Sequence, residues 1–136
     1  MSNEVFRDRV LVVEDEPYLM EEIVISLREC QIEPLTATNG TIALDLLKEH
    51  ADISVVLTDI RMPYMNGTEL LKRAKEELDP KRRLHWFALT GFVGSDLSDF
   101  PGFEEVLYKP IQLAMLAKLL RRKLDLSPPS ASSRRE

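Results

Sequence analysis

Ile53-Ser54-Val55-Val56-Leu57-Thr58-Asp59 is a largely apolar run that ends in a carboxylate, and the rest of the chain is best read outward from it. Short apolar runs separated by helix-length segments indicate strands buried on both faces of a parallel sheet, with helices covering each face. Two other runs share the pattern. Val10-Leu11-Val12-Val13 leads into Glu14 and Asp15, and Val106-Leu107-Tyr108 leads into Lys109-Pro110. In open parallel sheets the ligand crevice lies beyond the carboxyl ends of the strands, so these acids and the lysine are expected to converge.

Between the runs the pattern alternates. Pro17 suits an early helical position, and Leu19, Met20, Ile23, Ile25 and Leu27 give an apolar stripe for a helix ending near Cys30. A second strand is expected over 32–37. Asn39-Gly40 punctuates, and Ile42, Ala43, Leu46 and Leu47 mark a helix ending near His50. The third strand is expected over 54–58. After Pro63 and Asn66-Gly67 comes a helix through Leu70, Leu71, Ala74 and Leu78, closed by Asp79-Pro80. Residues 84–89 and 106–108 read as strands four and five. The stretch 91–103 carries three glycines, one proline and two aspartates, so any helix there is short and poorly specified. Pro110 opens a last helix through Leu113, Leu116, Leu119, Leu120 and Leu124. Five β-α units imply an α/β fold: a doubly wound, flavodoxin-like three-layer sandwich whose five-stranded parallel sheet has order 2-1-3-4-5. Residues 1–7 form an N-terminal extension, 8–125 the domain, and 126–136 a flexible tail or the start of a linker.

Composition narrows the function. The chain has 136 residues and a net charge of −5, from 18 Lys and Arg against 23 Asp and Glu, which argues against direct nucleic-acid binding. Neither a signal peptide nor a run of membrane-spanning length is visible, so a cytoplasmic location is expected. Cys30 is the single cysteine, which rules out an intramolecular disulfide and a thiolate cluster.

Each polar strand ending has a structural explanation when taken alone. Glu14, Asp15 and Glu16 suit a helix start, Asp59 a turn, Thr90 a strand end and Lys109-Pro110 a strand-to-helix junction. Together, four of the five predicted strands end in such a group. Several carboxylates, a hydroxyl and an ammonium in one crevice suit metal-assisted phosphoryl chemistry. Hard oxygens favour Mg²⁺, with Asp15 and Asp59 as direct ligands, and a carboxylate can attack phosphorus to form an aspartyl phosphate. Lys109 then serves as a positioned charge, and Thr90 donates a hydrogen bond to a phosphoryl oxygen.

These residues resemble the receiver domain of two-component response regulators, in a single-domain form like the chemotaxis regulator. The resemblance spans about residues 8–124. It rests on Val-Leu-Val-Val-Glu14-Asp15-Glu-Pro17, Val-Leu-Thr-Asp59-Ile-Arg-Met-Pro63-Tyr-Met-Asn-Gly67, Ala-Leu-Thr90-Gly and Tyr-Lys109-Pro110-Ile. It implies that Asp59 is the phosphoacceptor and that Asp15 is a direct Mg²⁺ ligand, with Glu14 acting on the metal largely through water. The main-chain carbonyl of Arg61 completes the set, while Thr90 and Lys109 hold the phosphoryl oxygens. It implies a cis Lys109-Pro110 peptide, and a histidine kinase or histidine phosphotransfer protein as donor, with acetyl phosphate as a small substitute. Catalysis would be limited to self-phosphorylation and slow autodephosphorylation. Output would pass to an unidentified protein effector in trans or in a further part of a longer polypeptide, from a monomer or a phosphorylation-dependent dimer.

Two departures fall on the expected readout face. Val106 occupies the position, three before the lysine, where many receivers carry an aromatic, and Tyr108 is assigned to the opposite strand face and not read as its replacement. The segment 91–103 also looks compressed, and is expected to reorganise on phosphorylation more than any fifth-strand aromatic. His50, His85, Trp86 and Phe87 are read as structural. The competing functions are a degenerate receiver acting as a constitutive binding module and an aspartyl-phosphate phosphatase. The second wants an acid two residues after Asp59, where Arg61 stands.

Overall fold

Alternation along the central strand sorts the molecule into layers. The computed structural model describes residues 9–91 and 96–124. Its strands are β1 (Arg9–Val13), β2 (Leu35–Ala37), β3 (Ile53–Asp59), β4 (His85–Thr90) and β5 (Glu105–Tyr108). All pair in parallel, in the order β2-β1-β3-β4-β5. The helices are α1 (Pro17–Glu29), α2 (Gly40–Glu49), α3 (Gly67–Glu77) and α4 (Leu113–Leu124). Successive strand side chains point to opposite faces. Val55 and Leu57 accordingly pack with Val10, Val12, Phe87 and Leu89 under α1 and α4. Val56 packs with Leu11, Val13, Trp86 and Ala88 under α2 and α3. Burial of each such aliphatic side chain contributes about 1.5–3 kcal/mol, and both faces of the sheet are covered.

The structure departs from the sequence reading at two junctions and bears it out at a third. β2 begins at Leu35, not at 32, because the end of α1 consumes the preceding residues. Gln31 adopts a left-handed φ of 65°, its N–H bonds to the Arg28 carbonyl and the Ile32 N–H to the Leu27 carbonyl. That pair of bonds closes the helix as a Schellman motif. Between β4 and β5, the fourth β-α unit holds only a 3₁₀ turn, Leu97–Asp99, among the described residues. Phe100 and Phe103 fill the space instead, Phe103 meeting the Trp86 ring edge-on at 6.0 Å. Finally, α4 starts at Leu113, because its first bonds are accepted by the Gln112 carbonyl and Pro110 stays outside the helix. The expected extension at 1–7, the tail at 126–136 and residues 92–95 of the readout segment lie outside the described residues. Among the described residues no helix is long and apolar enough to cross a membrane.

β4 and β5 run one residue pair further toward the crevice than β3. Val13 pairs with Thr58, Asp59 with Leu89 and Thr90 with Tyr108. The residues that leave β1, β3, β4 and β5 therefore emerge at one edge within about a residue of one another.

Candidate functional site

Three consecutive acids follow β1, and the fold separates their jobs. Glu16 is the cap of α1: its carboxylate accepts the Leu19 N–H at 2.8 Å, with Pro17 in the first turn. Glu14 turns inward, buried to 1% exposure, and one of its oxygens, Oε2, accepts the Glu16 N–H at 3.0 Å. Asp15 remains exposed. The capping explanation thus accounts for Glu16 and leaves Glu14 and Asp15 to the crevice.

Asp59 ends β3 at 5% exposure. Its Oδ1 accepts the Arg61 N–H at 3.3 Å, and its Oδ2 lies 3.1 Å from the Lys109 Nζ. The same ammonium stands 3.2 Å from Glu14 Oε1. Lys109 is placed from behind: its N–H bonds to the Thr90 carbonyl at 2.8 Å, and the Lys109-Pro110 peptide is cis, as expected. Thr90 is buried at the tip of β4, one residue beyond the Leu89 that pairs with Asp59. Glu14, Asp59 and Lys109 are brought into contact, Asp15 borders them, and Thr90 closes the neighbouring strand.

Two supporting residues escaped sequence reasoning. Thr58, fully buried, donates its hydroxyl to the Asp59 carbonyl at 2.9 Å. Gly67 opens α3 against the same carbonyl, where a Cβ would stand only 2.6 Å from the oxygen. A hydroxyl inside an apolar run was the available signal for Thr58. Nothing local marked Gly67 beyond its place after Asn66, the helix cap.

Electrostatics hold the crevice in a charged, incompletely compensated state. Burial raises the Glu14 pKa, the Asp59 charge raises it further, and the Glu16 N–H and Lys109 offset part of this. For Lys109, burial acts to lower the pKa, but the hydrogen bond and charge of Asp59, together with Glu14, outweigh it. Its pKa ends above the ordinary lysine value, so the ammonium persists. Glu14 Oε1 is buried and, despite its proximity to Nζ, lacks a hydrogen bond of acceptable geometry. A buried carboxylate oxygen without a hydrogen bond is costly and favours a further positive partner. One oxygen from each of Glu14, Asp15 and Asp59 lies within 4.8 Å of the others, which suits a small hard cation such as Mg²⁺.

The fifth strand requires a correction. Val106 packs on the α2–α3 side of the sheet while Leu107 packs on the α1–α4 side. Tyr108, two residues from Val106, therefore shares the face of Val106 and does not oppose it. It also pairs directly with Thr90. His85 stands near the opposite edge, its Nδ1 2.5 Å from Glu104, which in turn lies 3.1 Å from Lys123. That chain of contacts gives His85 a structural partner.

Comparison with known proteins supplies the family. The family model for the response regulator receiver domain matches residues 10–121. The chain belongs to the response regulator receiver family. The receiver protein CpdR of Brucella abortus is 34% identical over 119 residues, covering 85% of this chain and 96% of its own. Longer plant response regulators from Oryza sativa and Arabidopsis thaliana are also similar. The similarity to these covers 52% of this receiver but only 10–14% of their own length. Among solved structures, the receiver of Pseudomonas aeruginosa PA1611, with magnesium in its active-site cleft, is 23% identical with a TM-score of 0.73, covering 86% of this chain and 97% of that one. The receiver of Saccharomyces cerevisiae Ssk1, crystallised with the histidine phosphotransfer protein Ypd1, is 24% identical with a TM-score of 0.72, covering 83% and 86%. At these identities both show the shared receiver fold.

Proposed function

We propose that this receiver is a phosphorylation-controlled switch in which Asp59 accepts a phosphoryl group from a phosphohistidine. The observation that carries the reading is the buried Asp59 carboxylate sharing the Lys109 ammonium with Glu14, at 3.1 and 3.2 Å. Asp59 attacks phosphorus as the P–N bond to the donor imidazole breaks. A P–O bond forms, and the leaving nitrogen keeps the electron pair and takes a proton. Lys109 is already charged and positioned, so it neutralises the phosphoryl oxygens without reorganisation. Thr90 supplies a hydrogen bond from the neighbouring strand tip. Mg²⁺ bound by Asp15, Asp59 and the Arg61 carbonyl, with Glu14 acting through water, would neutralise the same oxygens, in the cleft where the PA1611 receiver carries magnesium. The donor is a histidine kinase or a phosphotransfer protein of the kind bound by Ssk1. Output passes through a protein interface.

Incubation with acetyl phosphate and Mg²⁺ followed by intact mass measurement tests the reading. A single phosphoryl increment that chelation and Asp59→Asn both abolish is expected. Retention of the increment in the Asn variant overturns the assignment of Asp59. Its absence from the folded wild-type chain indicates the degenerate module instead.

A further inference from the structure

We propose that Met65 is a positioning residue for the crevice: seated on Gly40, at the start of α2, it holds the loop 60–66 and so keeps Arg61 in register with Asp59. β2 is the strand that offers no polar group to the crevice, and its exit carries the support instead. This role deepens the reading of Asp59 as phosphoacceptor and rests on it.

The loop is strained and needs an anchor. Tyr64, at its apex, has a φ of 72°, and the Met65 N–H bonds to the Pro63 carbonyl at 2.8 Å, a γ-turn of the rare, strained kind. The Tyr64 ring is 93% exposed, so its own burial does not hold the turn. Such a conformation persists only where its surroundings impose it. At the base of the loop, the Gly67 N–H bonds to the Ile60 carbonyl at 2.9 Å. Past the apex, Met65 turns inward to 6% exposure and joins the cluster under α2 and α3, with Ile60 and Met62 packed against it.

Gly40 makes the seat. Its φ is not left-handed, and it stands in a helix, where alanine is ordinarily the better residue, so backbone conformation does not call for glycine. Space does. A Cβ there would stand 2.9 Å from the Cβ, the Cγ and the Sδ of Met65 alike. Rotating the methionine cannot relieve all three, because its Cβ moves only with the loop backbone. Ordinary contact starts near 3.4 Å, so the loop would have to retreat by about 0.5 Å, which is the tolerance within which a working site holds its groups. Gly40 is itself fixed in place. Asn39 caps α2 by accepting the Ile42 N–H at 2.9 Å, and the Ala37 carbonyl accepts the Glu14 N–H at 3.1 Å. The exit of β2 therefore braces two others, that of β1 through Ala37 and that of β3 through Met65.

The effect reaches the chemistry through Arg61. Its N–H lies 3.3 Å from Asp59 Oδ1, and its carbonyl is one of the oxygens proposed for Mg²⁺, an ion that demands near-octahedral geometry. A small retreat of the loop preserves the fold and spoils that geometry.

Two measurements on the full chain test this, with Mn²⁺ as the spectroscopic probe of an oxygen site suited to Mg²⁺. In metal-free protein, amide exchange at Gly67 relative to Val56, in the middle of β3, should rise about tenfold in Gly40→Ala and in Met65→Ala, as local opening of the loop requires. The Mn²⁺ dissociation constant, from the paramagnetic resonance signal of the free ion, should rise about 10–100-fold in both, as it does when support for a metal ligand is lost. Met65→Leu keeps the volume and should stay within about threefold of wild type in both readouts. Urea unfolding reports how far each variant is destabilised. Ala variants that are less stable but keep the wild-type exchange ratio and Mn²⁺ affinity would mark Met65 as ordinary core packing and overturn the proposal, as would a Leu variant as impaired as Met65→Ala. A wild-type chain that takes up no Mn²⁺ counts against the metal reading of the crevice, and exchange in the metal-free chain then decides the role of Met65 alone.

Discussion

Gly67 shapes the crevice through the absence of a side chain. A Cβ at this position would lie 2.6 Å from the Asp59 carbonyl oxygen and 3.1 Å from Ile60 Cδ1, and backbone cannot yield as the tip of a flexible side chain can. Gly67→Ala is therefore expected to cost about 1–3 kcal/mol of stability. Because relief requires Asp59 to shift relative to Lys109, it should also slow phosphorylation by acetyl phosphate. Urea unfolding and the phosphorylation rate check the two halves, and an Ala variant as stable and as fast as wild type would refute the close approach. Asp59, Glu14 and Lys109 were legible in the sequence because each follows an apolar strand run, and strand ends share an edge in a parallel sheet. Gly67 was not, since its role depends on a loop returning to touch a strand, which no local spacing encodes.

At the scale of elements, boundaries were hard to read wherever a turn competed with a periodic pattern. Ile32 looks like strand, but its N–H is committed to the Leu27 carbonyl by the closure of α1. That closure places a glutamine at a φ of 65°, where residues other than glycine and asparagine carry a steric cost. Gln31→Gly should stabilise the protein by about 0.5–1 kcal/mol, the relief at the left-handed position exceeding the added freedom of the unfolded chain. A thermal midpoint that falls in the Gly variant would contradict this account of the α1–β2 junction. On β5 the misreading was one of parity. Tyr108 is on the face of Val106 and beside Thr90, so an aromatic does stand next to the threonine, two residue pairs nearer the crevice than position 106.

For the molecule as a whole, both covered faces followed from alternating apolar runs, because a parallel sheet needs helices on each side, while the sheet order came from the likeness to flavodoxin-like folds. The sequence could not show how incompletely the assembled crevice balances its charge. Three carboxylates bring oxygens within 4.8 Å of one another, the two buried ones share the Lys109 ammonium, and one buried carboxylate oxygen lacks a hydrogen bond. A cation bound there stabilises the folded state alone, since the unfolded chain scatters the ligands. Binding linkage sets the size of the effect: at a Mg²⁺ concentration about ten times the dissociation constant, the gain is about 1.4 kcal/mol, a rise of roughly 3–11 °C in the unfolding midpoint for domains of this size range. Asp15 is exposed, so Asp15→Asn should leave the metal-free midpoint nearly unchanged and abolish most of the Mg²⁺-dependent rise. Calorimetry with Mg²⁺ or a chelator, on both proteins, separates the contribution of the fold from that of the metal. If Mg²⁺ raised the midpoint of the Asn variant as much as that of wild type, Asp15 would not be a ligand and the cation would be acting elsewhere on the surface.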